Sequence, residues 1–108
     1  MCKPKLYVSG AISGMPELNK IKFEIATKQL RHLGYEVVNP HELCIGIPAA
    51  EWEKCMKICI CALCFCEVMI MLDDWQDSRG ATLEFIIARS LGIKTISLHE
   101  FLKTHNRS

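Results

Sequence analysis

Two kinds of apolar pattern alternate along the chain. Lys5-Leu6-Tyr7-Val8-Ser9, Tyr35-Glu36-Val37-Val38-Asn39, Glu67-Val68-Met69-Ile70-Met71-Leu72 and Ile93-Lys94-Thr95-Ile96-Ser97-Leu98 are short apolar runs bounded by glycine, proline or polar clusters. Each predicts a strand. The third is almost continuously apolar, as expected of a strand covered on both faces, and Met69 and Met71 read there as core. Between the runs, apolar residues recur at helical spacing. Leu18, Ile21, Ile25, Ala26, Leu30 and Leu33 predict a helix over about 17–33, ended by Gly34. Further helices are predicted over about 50–65 and 81–91, the latter ended by Gly92, with a short one after His99. Residues 41–50 contain Gly46 and Pro48 and read as a connection.

The resulting order, β-α-β-α-β-α-β, predicts an α/β fold. Its sheet is short and parallel, of four or five strands, with helices on both faces and right-handed crossovers. Ligands of such sheets bind beyond the carboxyl ends of the strands, near the point where strand order reverses. Two loops at that end draw attention. The first is Ser9-Gly10-Ala11-Ile12-Ser13-Gly14. Its glycines are four apart and no P-loop lysine follows, so it fits either a tight turn or a loop that lets a ligand approach the backbone.

The second loop is Asp73-Asp74-Trp75-Gln76-Asp77-Ser78-Arg79-Gly80. Ser78 and Gly80 are placed to cap the next helix and offer N–H groups to an anion. Glu84 follows within Ala81-Thr82-Leu83-Glu84-Phe85-Ile86-Ile87-Ala88, an otherwise apolar stretch. It reads either as a carboxylate partly buried at the mouth of the sheet or as an exposed first-turn glutamate favoured by the helix dipole. Of the two tryptophans, Trp75 is the candidate to stack on a base or close a pocket, and Trp52 the one to pack between helices.

Composition narrows the partners. The 108 residues make one domain, 1–108, with 13 Lys and Arg against 12 Asp and Glu and a net charge of +1. That balance disfavours nucleic-acid polymers and anionic membranes, and 7% aromatic content leaves no stacking platform for a single strand. The longest apolar run, 58–66, is too short to span a bilayer, and the first residues hold no signal-like segment, so a cytoplasmic protein is expected.

Seven cysteines, an odd number, do not suggest a disulfide framework in such a protein. Cys59-x-Cys61-x-x-Cys64-x-Cys66 invites a metal or redox reading. The second ligand pair of a zinc module is missing, with Cys2 and Cys44 isolated. Cys55 and Cys59 share a helix face that Cys61 does not. The cysteines are therefore read as small core hydrophobes, with no metal. His32, His41, His99 and His105 lack ligand spacing and are expected on the surface.

Three motifs in order carry a family resemblance: Tyr7-Val8-Ser9-Gly10-x-Ile12-x-Gly14-Met15, Leu33-Gly34-Tyr35-Glu36-Val37-Val38-Asn39-Pro40 and Trp75-x-x-Ser78-Arg79-Gly80-Ala81-x-Leu83-Glu84. Over about residues 5–98 the chain resembles the small phage and bacterial branch of the nucleoside 2-deoxyribosyltransferase superfamily, which also contains nucleotide N-glycoside hydrolases. The resemblance implies a flavodoxin-like three-layer sandwich. It makes Glu84 the nucleophile that attacks the anomeric carbon of a (deoxy)ribose, by the logic of retaining glycosidases. Tyr7 would position that carboxylate. Ser9, Gly10, Ile12 and Gly14 would line the base and sugar pocket, with Asp74 and Trp75 beside it. Ser78, Arg79 and Gly80 would meet the 5′ end of a nucleoside or its monophosphate.

That chemistry calls for no metal or organic cofactor, and such proteins assemble as homo-oligomers. One departure stands out. Cys59 occupies the place of an aspartate that assists the leaving group, so Asp73, Asp74 or Asp77 would have to substitute. The alternatives are a catalytically weak or inactive nucleotide-binding module and a cysteine-rich metal or redox protein.

Overall fold

The computed structural model describes residues 3–12, 15–48 and 50–105. Four strands, β1 (Leu6–Ser9), β2 (Val37–Val38), β3 (Val68–Met71) and β4 (Lys94–Ser97), pair in parallel in the order β2-β1-β3-β4. Five helices accompany them: α1 (Lys20–His32), α2 (Pro40–Leu43), α3 (Trp52–Leu63), α4 (Arg79–Ser90) and α5 (Leu98–His105). The architecture is the flavodoxin-like three-layer sandwich, with four strands among the described residues. No helix there is long and apolar enough to cross a membrane.

Strand alternation sorts the core into two halves. Leu6 and Val8 of β1 pair with Val68 and Ile70 of β3, and all four side chains face α1 and α5. There Phe23, Ala26, Leu30 and Phe101 close a cluster of hydrocarbon. Tyr7 and Ser9 pair with Met69 and Met71 and point to the other face. That face is covered by α3 and α4 through Cys59, Leu63 and Ala88. Fully burying an aliphatic or Phe side chain stabilises by roughly 1.5–3 kcal/mol, so the first cluster is the main anchor of the sheet.

The first helix differs from its prediction at both its start and its face. Pro16–Asn19 is a 3-10 turn, and Glu17, Leu18 and Asn19 have φ of 50°, 55° and 60°. Left-handed backbone at three successive residues breaks the helical ladder, so α1 begins at Lys20. Its buried stripe is Phe23, Ala26, Thr27 and Leu30, while Leu18, Ile21 and Ile25 are exposed. Both sets have helical spacing. The one containing the bulky Phe23 lies on the sheet, and Thr27 joins it because its hydroxyl donates to the Phe23 carbonyl at 2.7 Å.

The predicted connection over 41–50 contains α2. Asn39 caps it by accepting from the His41 N–H at 3.0 Å, and Pro40 occupies its first turn. The Arg31 guanidinium ties α2 to α1, forking onto Glu42 at 2.6 and 2.9 Å and donating to the Val37 carbonyl at 2.9 Å. β1 lies at the centre of the sheet, with the chain turning to β2 on one side and β3 on the other. The loops after β1 and β3 therefore diverge at the switch point and leave a crevice at their carboxyl ends.

Candidate functional site

Glu84 lies in the second turn of α4, only 5% exposed. Register brings it over the ends of the central strand. The Tyr7 hydroxyl donates to Glu84 Oε2 at 2.6 Å, and the Ser9 hydroxyl donates to Oε1 at 2.7 Å. Burial pushes the Glu84 carboxyl up to about 7, and the two hydroxyls oppose the rise by stabilising the anion. The Tyr7 phenol is itself held well above its usual range, first by burial and then by the adjacent carboxylate. The result is a buried carboxyl group with both oxygens fixed in direction, poised to change charge near neutral pH.

Above it opens a cavity of about 340 Å³, within the size range of small-molecule sites. Glu84 and Cys59 form part of its floor, and Ile12, Pro40, Ile47 and Met56 supply apolar wall. The N-terminus of α4 forms one side. Ser78 caps it, accepting from the Ala81 N–H at 3.1 Å. The Arg79 guanidinium stacks 4.2 Å from the Trp52 ring, which fixes a cation at the rim. A Cβ on Gly80 would stand 3.1 Å from Met56 Sδ, so the absence of a side chain lets α3 and α4 close around the crevice.

The predicted site residues do not all converge. Tyr7 and Ser9 reach Glu84, and Gly10, Ile12, Cys59, Ser78, Arg79 and Gly80 line the cavity. Gly14 lies outside the described residues. Gly10 owes its identity to packing, since a Cβ there would meet Leu72 at 2.9 Å. Asp74 does not line the cavity. Its carboxylate accepts from the Ala11 N–H at 3.0 Å, Asn19 at 2.8 Å and Lys22 at 3.1 Å, bracing the two loops against each other. Burial tends to raise its pKa, and these donors together outweigh it and hold it low.

The two tryptophans differ from their expected places in one respect, which of them reaches the cavity. Trp75 lies on Phe85, 4.6 Å between ring centres and away from the cavity, because the 3-10 turn Trp75–Asp77 folds it back against α4. Trp52 packs between α3 and the start of α4, as expected, and from there also lines the opening. Of the three aspartates weighed as substitutes for the missing helper, Asp73 is exposed and paired with Lys22, Asp74 is the brace, and Asp77 lines the cavity. Cys59 is 4% exposed, and burial pushes its thiol up to about 11, so it is a neutral group at physiological pH.

The cysteine and histidine expectations are corrected in part. Cys44 and Cys55 form a disulfide, against the expectation from an odd number of cysteines. Cys59 and Cys66 are buried as core hydrophobes, whereas Cys61 and Cys64 are exposed, because they fall on the outer side of α3 and its end. Cys2 lies outside the described residues. His41 is half-buried rather than fully on the surface. It packs edge-on against Phe23 at 5.0 Å, donates from Nε2 to the Leu18 carbonyl at 2.8 Å and lines the cavity. Burial lowers its pKa. His105 likewise packs between Tyr35 and Phe101, while His32 and His99 are exposed.

Sequence reading missed His41, Cys44, Cys55 and Met56 as cavity residues. The Asn39-Pro40 cap was the signal that a structured element, not a plain connection, presents the first two. Residues 4–97 match the family Domain of unknown function (DUF4406), and the chain belongs to that family. No curated protein matches it.

Proposed function

We propose that the protein cleaves or transfers the N-glycosidic bond of a (deoxy)nucleoside or nucleoside 5′-monophosphate through a covalent glycosyl ester on Glu84. The observation that carries this reading is the clamp of Tyr7 and Ser9 on a buried carboxylate at the floor of an apolar-walled cavity. In solution a carboxylate is a poor nucleophile toward an acetal-like carbon. Here it is stripped of water and held in one orientation, which removes much of the entropy of attack.

The resemblance to the nucleoside 2-deoxyribosyltransferase superfamily supplies the substrate class. In the proposed reaction a Glu84 oxygen attacks C1′ as the C1′–N bond breaks. The departing base takes the bond electrons and a proton. Water, or a second base, then attacks C1′ and releases Glu84. The cavity walls suit a planar base and a sugar. The α4 N-terminus with Ser78 and Arg79 suits a 5′-hydroxyl or phosphate. Of the three aspartates, Asp77 is the one that lines the cavity, and it stands in for the missing helper by relaying a proton from solvent to the leaving base, since a thiol held near 11 parts with its proton reluctantly. The same reading makes the protein a cytoplasmic homo-oligomer that takes a small-molecule partner. Exposed Ile21, Ile25 and Ile86 support an assembly.

Attack requires ionised Glu84, so kcat/KM is expected to rise with pH through about 7. The deciding experiment is free-base release from a panel of nucleosides and 5′-monophosphates, followed by chromatography beside Glu84→Gln. Release by the wild type and none by the variant is the expected result. A panel that binds without release would replace this reading with a non-catalytic nucleotide-binding module, for which the neutral Cys59 is the specific observation.

A further inference from the structure

The cysteines that meet in space are not the run that stands out in the sequence. Cys55 and Cys59 are one helical turn apart on the same face of α3. Cys44 comes from a different element, the residue that ends α2. That turn is fixed at its start by the Asn39 cap and near its end by the fork of Arg31 on Glu42. The three Sγ atoms lie within 4.8 Å of one another, and Cys59 Sγ is 3.7 Å from Cys44 Sγ. All three residues line the cavity beside Glu84.

We propose that, with the Cys44–Cys55 disulfide reduced, Cys44, Cys55 and Cys59 form a three-thiolate site for a thiophilic tetrahedral cation of the zinc class, with its fourth position open to the cavity. Thiolates about 2.3 Å from a tetrahedral zinc stand roughly 3.8 Å apart, the spacing that Cys44 and Cys59 already have. A disulfide uses two sulfurs and leaves the third as a bystander, whereas a cation uses all three. Two ligands on one helix face and one from a capped turn are held by rigid elements, which lowers the cost of assembling the site. Cys61 and Cys64 are exposed on other sides of the helix end and take no part.

The chemistry balances in two steps. A phosphine and one water convert the disulfide to two thiols and phosphine oxide. Three thiols then bind one divalent cation and release three protons, leaving a site of net charge −1. The fourth ligand is solvent or a neutral donor on whatever occupies the cavity. This site does not depend on the glycosidic reading, and its readout needs no nucleoside.

The experiment is titration of phosphine-reduced protein with Co²⁺, read by the sulfur-to-cobalt charge-transfer and tetrahedral d–d absorption, followed by displacement with Zn²⁺. One equivalent of Co²⁺ per chain is expected. Cys44→Ser, Cys55→Ser and Cys59→Ser should each weaken binding at least about tenfold, the scale on which even outer partners of a metal act, while Cys61→Ser and Cys64→Ser bind as the wild type does. Unreduced wild-type protein, folded and with its disulfide intact, should bind at least about tenfold more weakly than the reduced form. Equal binding before and after reduction would overturn the proposal. So would no tetrahedral thiolate spectrum from the reduced chain, or binding that follows Cys61 and Cys64 instead.

Discussion

The two faces of the sheet are built from the same strands and do different work. Toward α1 and α5, β1 presents Leu6 and Val8 to a cluster of hydrocarbon side chains closed by Phe23, Leu30 and Phe101. Toward α3 and α4, the alternate residues Tyr7 and Ser9 present hydroxyls, and what they meet is a carboxylate. That second face also holds the buried thiols of Cys59 and Cys66. Every buried side-chain nitrogen and oxygen among the described residues has a partner, so the polar face is satisfied rather than defective. The apolar face supplies stability. The polar face spends some of it to keep ionisable groups out of water at one end of the sheet.

This division can be broken most sharply by one substitution on each face. Glu84→Gln should lower base release at least about a thousandfold, over 4 kcal/mol of barrier, while leaving the thermal transition cooperative. Phe23→Ala should do the converse. It should cost about 3–5 kcal/mol of stability in a denaturant titration, with the pH profile of release unchanged in the fraction that remains folded. If Glu84→Gln unfolds the protein, the carboxylate is a structural member of its face and the division fails.

The pH dependence of stability sharpens the comparison further. The folded state holds the Glu84 proton up to about 7, whereas an unfolded glutamate releases it near 4.5. Between those values the unfolded chain binds fewer protons than the folded one, so stability falls as pH rises. The contribution is complete below 4.5 and lost above about 7, and it amounts to about 3 kcal/mol. Melting curves from pH 4.5 to 8 should show this decline in the wild type and a flatter profile in Glu84→Gln. The smallest expected effect belongs to Tyr7→Phe. Removing a donor to the anion should raise the Glu84 pKa further, moving the midpoint of the pH–rate profile upward by about one pH unit. A downward shift would mean that Tyr7 favours the protonated form.

Much of the frame was legible in advance, and the errors have physical causes. The four strands and their parallel direction follow from short apolar runs separated by helical ones. In α1 two stripes had helical spacing, and only docking on the sheet selected Phe23 over Ile21 and Ile25. The type of segment in which Trp75 and Trp52 sit does not decide which ring reaches the cavity. Which ring faces the cavity depended on a single 3-10 turn, a feature with no periodic signature. The cysteine run 59–66 attracted notice because its members are close in sequence, yet helical geometry scatters them over several directions. Cys44 joins Cys55 and Cys59 because α2 packs on α3, a contact between segments with no shared pattern.

The sequence by itself determined the alternation of strands and helices, the loops at the carboxyl ends of β1 and β3, and the nomination of Glu84 and Tyr7. The elements and loops rest on local spacing, which the backbone converts directly into element type and side-chain direction, whereas the nomination of Glu84 and Tyr7 rests on the resemblance of their motifs to a known family. Tertiary structure decided which face of each helix is buried, that Ser9 joins Tyr7 in holding the carboxylate, and that His41 and three cysteines from two helices share its cavity. Those outcomes arise where elements distant in the chain compete for the same buried volume. Close packing resolves such competition through the shapes of all the partners together, which no local window of residues contains.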